Sequence, residues 1–178
     1  MDNHILQIDD IEDCFIIVDI LPKCGYVSNI KIEPKYITIH DTNNLNMPAT
    51  IVHKNVKHIC TKCIRRGHTQ FIVDDECIYQ SQIANIKCFH TGTKVGNESS
   101  IGIEICVFRD KERQRKSYEN TIKLIKVLME YYNIKNVNRH CDWSKSSCPI
   151  WLNTGMHGYT WEWFISQINS KGEDSKWK

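Results

Sequence analysis

Residues 101–107 read Ile-Gly-Ile-Glu-Ile-Cys-Val, nearly continuous in apolar residues apart from one carboxylate, Glu104. A run this short, rich in β-branched residues, is the pattern of a strand covered on both faces, and such strands lie inside sheets that carry helices on their faces. A carboxylate in that setting is costly to bury unless a charge or a hydrogen-bond donor meets it. The chain must therefore build layers around this strand and either pair Glu104 or leave it a path to water.

The remaining pattern agrees with a layered α/β fold. Residues 13–20 read as a strand closed by Pro22 and Gly25, and Tyr36–His40 as a second strand that stops at Asp41-Thr42-Asn43-Asn44. From Pro48 the spacing turns helical, with Ile51, Val52, Val56, Ile59, Cys60 and Cys63 on one face until Arg65-Arg66-Gly67. Gln70–Val73 and Cys77–Tyr79 form a predicted hairpin through Asp74-Asp75-Glu76. Ser117 is expected to cap a helix running to Tyr132, with Tyr118, Ile122, Ile125 and Leu128 inward, and the run Lys111–Lys116 before it reads as a solvated loop. Val137–Arg139 is a short strand delivering His140, and a last helix lies between Tyr159 and Ile168. Strands alternating with helices, plus one hairpin, give a mixed central β-sheet flanked by helices. At 178 residues the expectation is one domain over residues 1–178, with its core over about 35–168 and a polar tail or linker start at 170–178.

Several function classes are set aside. The longest apolar run, Phe15–Leu21, spans seven residues and contains Asp19, too short to cross a bilayer, so no membrane insertion is expected. Met1-Asp2-Asn3-His4 lacks the positive charges of a secretory signal, which predicts synthesis in a host cytoplasm without a signal peptide. The nine cysteines are odd in number and scattered, so they read as reduced core residues rather than a disulfide framework. A net charge of +2 gives no footprint for nucleic acid. Cys60 and Cys63 have the spacing of a zinc knuckle, but without a second such pair they read as helix residues.

The chemistry concentrates elsewhere. His40 and His140 each end a strand, and Cys148 follows just before Pro149. Two imidazoles and a thiolate are good zinc ligands, and three protein ligands leave a fourth tetrahedral position for water or substrate.

Six blocks extend this set in order: Tyr36-Ile37-Thr38-Ile39-His40-Asp41-Thr42-Asn43, Phe71-Ile72-Val73-Asp74-Asp75, His90-Thr91-Gly92, Asn97-Glu98-Ser99-Ser100-Ile101-Gly102-Ile103-Glu104, His140, and Cys148-Pro149. Together, over about Lys35 to Leu152, they resemble the type 2 zinc-dependent N-acetylmuramoyl-L-alanine amidases, a family of phage endolysins, bacterial autolysins and peptidoglycan recognition proteins. The resemblance implies one Zn²⁺ per chain held by His40, His140 and Cys148, with bound water acidified and the amide between N-acetylmuramic acid and L-alanine polarised. It implies Glu104 as general base and acid. It places His90 and Asn97 at the substrate cleft, and Asp41, Thr42 and Asn43 where they orient His40 or touch the stem peptide. It also implies action on peptidoglycan of the bacterial cell wall, as a monomer and with no nucleic acid partner. Many relatives carry a lysine two residues before the ligand cysteine. Here Ser146 holds that position and Lys145 precedes it, so Lys145 is the expected oxyanion-stabilising cation. Relatives often place an aromatic residue and a histidine before the hairpin phenylalanine, where this chain has Thr69 and Gln70. The alternative is a peptidoglycan-binding module of the same fold without hydrolysis, from which the Cys148 ligand distinguishes this chain.

Overall fold

The computed structural model describes residues 4–6, 10–11, 14–23, 27–62 and 67–170. Seven strands make one sheet in the order β1-β2-β5-β4-β6-β3-β7. They are β1 (Asp10–Ile11), β2 (Cys14–Val18), β3 (Tyr36–Asp41), β4 (Phe71–Val73), β5 (Cys77–Gln80), β6 (Ser100–Ile105) and β7 (Asn136–Arg139). The apolar strand β6 lies inside the sheet, parallel to β4 on one side and β3 on the other, and β7 runs parallel to β3 at the edge. The expected hairpin forms as the antiparallel β4–β5 pair, and β1 is antiparallel to β2, so the sheet is mixed.

Strand alternation divides the side chains between two faces. Ile37, Ile39, Phe71, Val73, Ile101, Ile103 and Ile105 point to one face and form the main core. That face is closed by α3 (Lys111–Tyr132) and α5 (Trp161–Asn169). Each fully buried isoleucine there contributes roughly 1.5–3 kcal/mol relative to an exposed one. On the opposite face α1 (Ala49–Thr61) covers β4 and β5 with a smaller cluster built on Val52, Ile72, Tyr79 and Phe108. The same face of β3 and β6 carries Thr38, His40, Gly102 and Glu104 in place of apolar side chains. That polar part of the sheet is the floor of the candidate site.

Four sequence expectations change. Residues 111–116 are not a loop but the first turns of α3, which begins six residues earlier than Ser117. Asp110 is the cap, its carboxylate accepting from the backbone N–H groups of Glu112 and Arg113 at 3.0 and 2.9 Å. Arg115 pairs with Glu112 and Glu119, and Arg113 pairs with Asp75 at 2.7 Å, while Lys111 and Lys116 are exposed. Ser117 is buried inside the helix and donates to the Arg113 carbonyl. In α1, Ile51 is exposed while His53 turns inward. Two short helices, α2 (Lys94–Ser99) and α4 (Ile150–Thr154), were not expected from the spacing. Cys63, Arg65, Arg66 and residues 171–178 lie outside the described residues. No described helix is long and apolar enough to cross a membrane.

Candidate metal centre and cleft

Three strand-linked segments meet at one end of the sheet. His40 is buried near the end of β3, and β7 runs beside it in a register that pairs Ile39 with Arg139. His140 opens the 3-10 turn that follows Arg139, so it emerges next to His40, with ring centroids 4.6 Å apart. The Arg139–Asp142 pair clasps that turn at 2.8 Å. Cys148 returns through a backbone bond from Cys141 N–H to its own carbonyl, 2.9 Å. The result is a group in which one donor atom from each of His40, His140 and Cys148 lies within 4.8 Å of the others. His40 Nδ1 and Cys148 Sγ stand 3.8 Å apart. A tetrahedral zinc with Zn–N of about 2.0 Å and Zn–S of about 2.3 Å holds its N and S donors about 3.5 Å apart. The donor set and its spacing therefore fit zinc.

The histidines are held neutral and oriented from behind. His40 Nε2 lies 2.9 Å from His90 Nδ1. With Nδ1 of His40 facing the cluster as a lone pair, its Nε2–H is the donor in that bond and fixes the tautomer. Burial pushes the His40 pKa well below the ordinary histidine range, helped by His90 and His140, and pushes His90 down to about 3. Burial also lowers His140, with the Thr91 backbone acting in the opposite sense. All three thus present neutral imidazole at physiological pH, the form that ligates metal.

His90 and Asn97, expected at the substrate cleft, are placed differently. His90 is buried against Gly102 and bonded to His40, so it backs the His40 ring rather than facing the cleft. Asn97 is buried as well, its Oδ1 accepting from the backbone N–H groups of His90 and Thr91 at 2.9 Å each. Asp41 is a brace. Its backbone N–H points at Cys148 Sγ at 3.4 Å, and its Oδ2 accepts from Trp151 N–H at 2.8 Å, which ties α4 to the end of β3. Burial pushes the Cys148 thiol up, and the charges of Asp41 and Glu104 add to this. A nearby cation is what such a thiol needs in order to ionise.

Glu104 is half-buried and is the direct partner of His40 across the β3–β6 pair, so both side chains rise from the same face. Glu104, Thr42, His68, Thr69 and Ser81 line a cleft of about 90 Å³, walled by Val52 and Val56 of α1. Asn43 is exposed in the left-handed region at φ 48° beside it. Lys145 is exposed on the segment leading to Cys148, while Ser146 Oγ accepts from Cys148 N–H at 3.1 Å. Gln70, at the position where relatives often carry histidine, is fully buried and structural: it accepts from Gly102 N–H at 2.7 Å and donates to the Ile86 carbonyl at 2.8 Å.

Sequence reasoning missed His68 and Ser81 in the cleft wall. It also missed the His53 bridge behind that wall, where Nδ1 lies 2.9 Å from Ser81 Oγ and Nε2 2.9 Å from Asp19 Oδ2. The available signal was a histidine on the inward side of α1 and a serine closing an apolar strand, which acquire meaning only when Asp19 is brought across from the end of β2.

Comparison with known proteins agrees with this geometry. Residues 31–151 match the family model described as N-acetylmuramoyl-L-alanine amidase. Two curated amidases of Bacillus subtilis (strain 168), XlyA and CwlH, are each 34% identical over 150 residues, 80% of this chain. The chain spans about half the length of these relatives, 46% of XlyA and 56% of CwlH. Among solved structures, the catalytic domain of XlyA superposes with a TM-score of 0.75 at 33% identity, covering 86% of this chain and 99% of that one. PlyL gives a TM-score of 0.75 at 28% identity, covering 89% and 99%. With residues 31–151 matching the family model, and two curated amidases 34% identical over 80% of its length, this chain belongs to the N-acetylmuramoyl-L-alanine amidase family.

Proposed function

We propose that the chain is a single catalytic domain that hydrolyses the amide joining N-acetylmuramic acid to L-alanine in peptidoglycan, acts as a monomer on the bacterial cell wall, and binds one Zn²⁺ through His40, His140 and Cys148. The observation that carries this reading is the convergence of those three donors on the face that also presents Glu104. Zinc bound there supplies a positive charge that polarises the scissile carbonyl and acidifies water. Glu104 takes the proton from the attacking water and passes it to the leaving amine of alanine, a role for a carboxylate held half-buried at the cleft. His90 keeps His40 turned towards its partners, and Asp41 holds Cys148. Lys145 reaches in from its exposed loop to meet charge developing on the carbonyl oxygen. Thr42 lines the cleft, and Thr42 and the exposed Asn43 next to it are the residues assigned to contact with the stem peptide.

Product analysis tests the bond assignment. Digestion of purified walls should release new amino-terminal alanine without new reducing sugar ends, and Cys148→Ser should abolish the release. New reducing ends would make the chain a glycosidase, and wall binding with no new ends would make it a binding module.

A further inference from the structure

Asp19, His53 and Ser81 form an unbroken line of hydrogen bonds that ends in the cleft wall. Lys57 Nζ donates to both oxygens of the Asp19 carboxylate, at 2.6 and 2.8 Å. Asp19 Oδ2 lies 2.9 Å from His53 Nε2, and His53 Nδ1 lies 2.9 Å from Ser81 Oγ. His53 and Ser81 are each 1% exposed, and the imidazole is stacked on Tyr79 with 4.7 Å between centroids. Ser81 borders the same cleft as Glu104.

The chemistry of these groups fixes the direction of each proton. A carboxylate held against Lys57 stays ionised and only accepts, so His53 Nε2 carries the hydrogen of that bond. Burial keeps the imidazole neutral, which leaves Nδ1 as a lone pair. The Ser81 hydroxyl must then donate to Nδ1, and its oxygen can meet the cleft only as an acceptor. Thr69, on the same wall, is committed in the same way, because its Oγ1 donates to the Phe71 carbonyl at 2.9 Å. With the Glu104 carboxylate, acceptors thus stand beside β5, β4 and β6, which are neighbours in the sheet, and Val52, Val56 and Ile72 supply apolar wall between them. Such a wall matches a hydrogen-bond donor and works against a further acceptor, which would set lone pairs against lone pairs.

We propose that Ser81 is a specificity-determining residue that accepts a hydrogen bond from an N–H group of the peptide on the leaving side of the scissile amide, and that His53 and Asp19 are positioning residues that hold its hydroxyl in that sense. The inference rests on the amidase reading above: Glu104 passes its proton to the leaving amine, so the departing peptide adjoins the cleft that Glu104 shares with Ser81. The N–H belongs to a backbone amide or to a side-chain amine of that peptide, and the test separates the two.

The stem peptide with a free alanine amine is the product and is not cut, so calorimetry can measure its binding to the unaltered chain without turnover. Analogues carry one change each, either a backbone N–H replaced by an ester oxygen or a side-chain amine replaced by hydrogen. One of them should bind roughly five- to fiftyfold more weakly, the cost of leaving a buried acceptor unmatched, and in Ser81→Ala the same change should cost under about twofold. Ser81→Thr keeps a hydroxyl and should restore the parent penalty. His53→Phe keeps a ring on Tyr79 but frees the Ser81 hydroxyl to turn, so the penalty should shrink. In turnover of a muropeptide, Ser81→Ala should raise KM by a similar factor with kcat within about twofold of the parent, a split that general loosening of the wall does not give. No measurable binding of the peptide, or no loss with any analogue on the unaltered chain, overturns the site whether or not the variants fold. Equal losses in the parent and in Ser81→Ala overturn it as well. An undiminished penalty in a folded His53→Phe overturns the positioning role. An unaltered chain that discriminates among the analogues yet releases no alanine from walls overturns the amidase reading and leaves the donor site standing.

Discussion

Gly102 leaves the space that His90 fills: a Cβ at that position would lie 2.8 Å from His90 Nδ1 and 2.9 Å from Thr69 Cγ2. A glycine in the middle of this inner strand leaves room for the imidazole that meets His40 from behind. Gly102→Ala should therefore displace His90, loosen the His40 ring and weaken zinc binding about 10–100-fold, as loss of a group supporting a metal ligand does. Zinc competition measures this, and parent affinity in the folded variant would show that His90 is not needed to orient His40.

Glu104→Gln keeps the size of the side chain and removes its basicity. Hydrolysis of a soluble muropeptide should fall by about two to four orders of magnitude while bound zinc and the thermal midpoint stay at parent values. Hydrolysis at the parent rate would mean that another group moves the proton.

Lys145→Ala tests the displaced cation. Turnover should drop roughly ten- to a thousandfold with zinc still bound, the range seen when one oxyanion donor is lost. An unaffected turnover would assign that role to the metal or to backbone N–H groups of the loop around Ser146.

The His53 bridge makes the cleft wall sensitive to acid. Burial lowers the His53 pKa below the ordinary value of 6.5, with Asp19 partly offsetting it, and Asp19 is itself lowered, first by its bond to Lys57. As pH falls, the unfolded chain takes up both protons before the folded chain does. The stabilisation is then complete above the ordinary histidine range and is lost progressively below it. The urea midpoint should fall between pH 7 and pH 5, and His53→Gln should flatten that slope. Parallel profiles for the two proteins would remove His53 from the account.

Local pattern made much of this architecture legible. The alternation in Tyr36–His40 and the apolar run around Glu104 each name a strand, and the three metal-binding candidates stand at the ends of strands or beside a proline, where loops converge. What stayed hidden depends on partners distant in sequence. The charges at 111–116 read as solvated because Asp75, 38 residues before Arg113, was not known to lie alongside. The role of His53 depends on Asp19, 34 positions away, which the spacing of α1 does not reveal. The supporting role of His90 depends on a strand that begins ten residues later, and no local spacing separates a histidine in a cleft from one beneath a ligand.

The central claim is that one zinc held by His40, His140 and Cys148 makes this chain an amidase. Its most direct test titrates metal-stripped protein with Zn²⁺ while following both metal content and the release of amino-terminal alanine from a muropeptide. The account predicts that activity rises from near zero and saturates at one equivalent, and that Cys148→Ser neither holds that equivalent nor gains activity. Alanine release at the full rate by metal-free protein, or by Cys148→Ser, would contradict it.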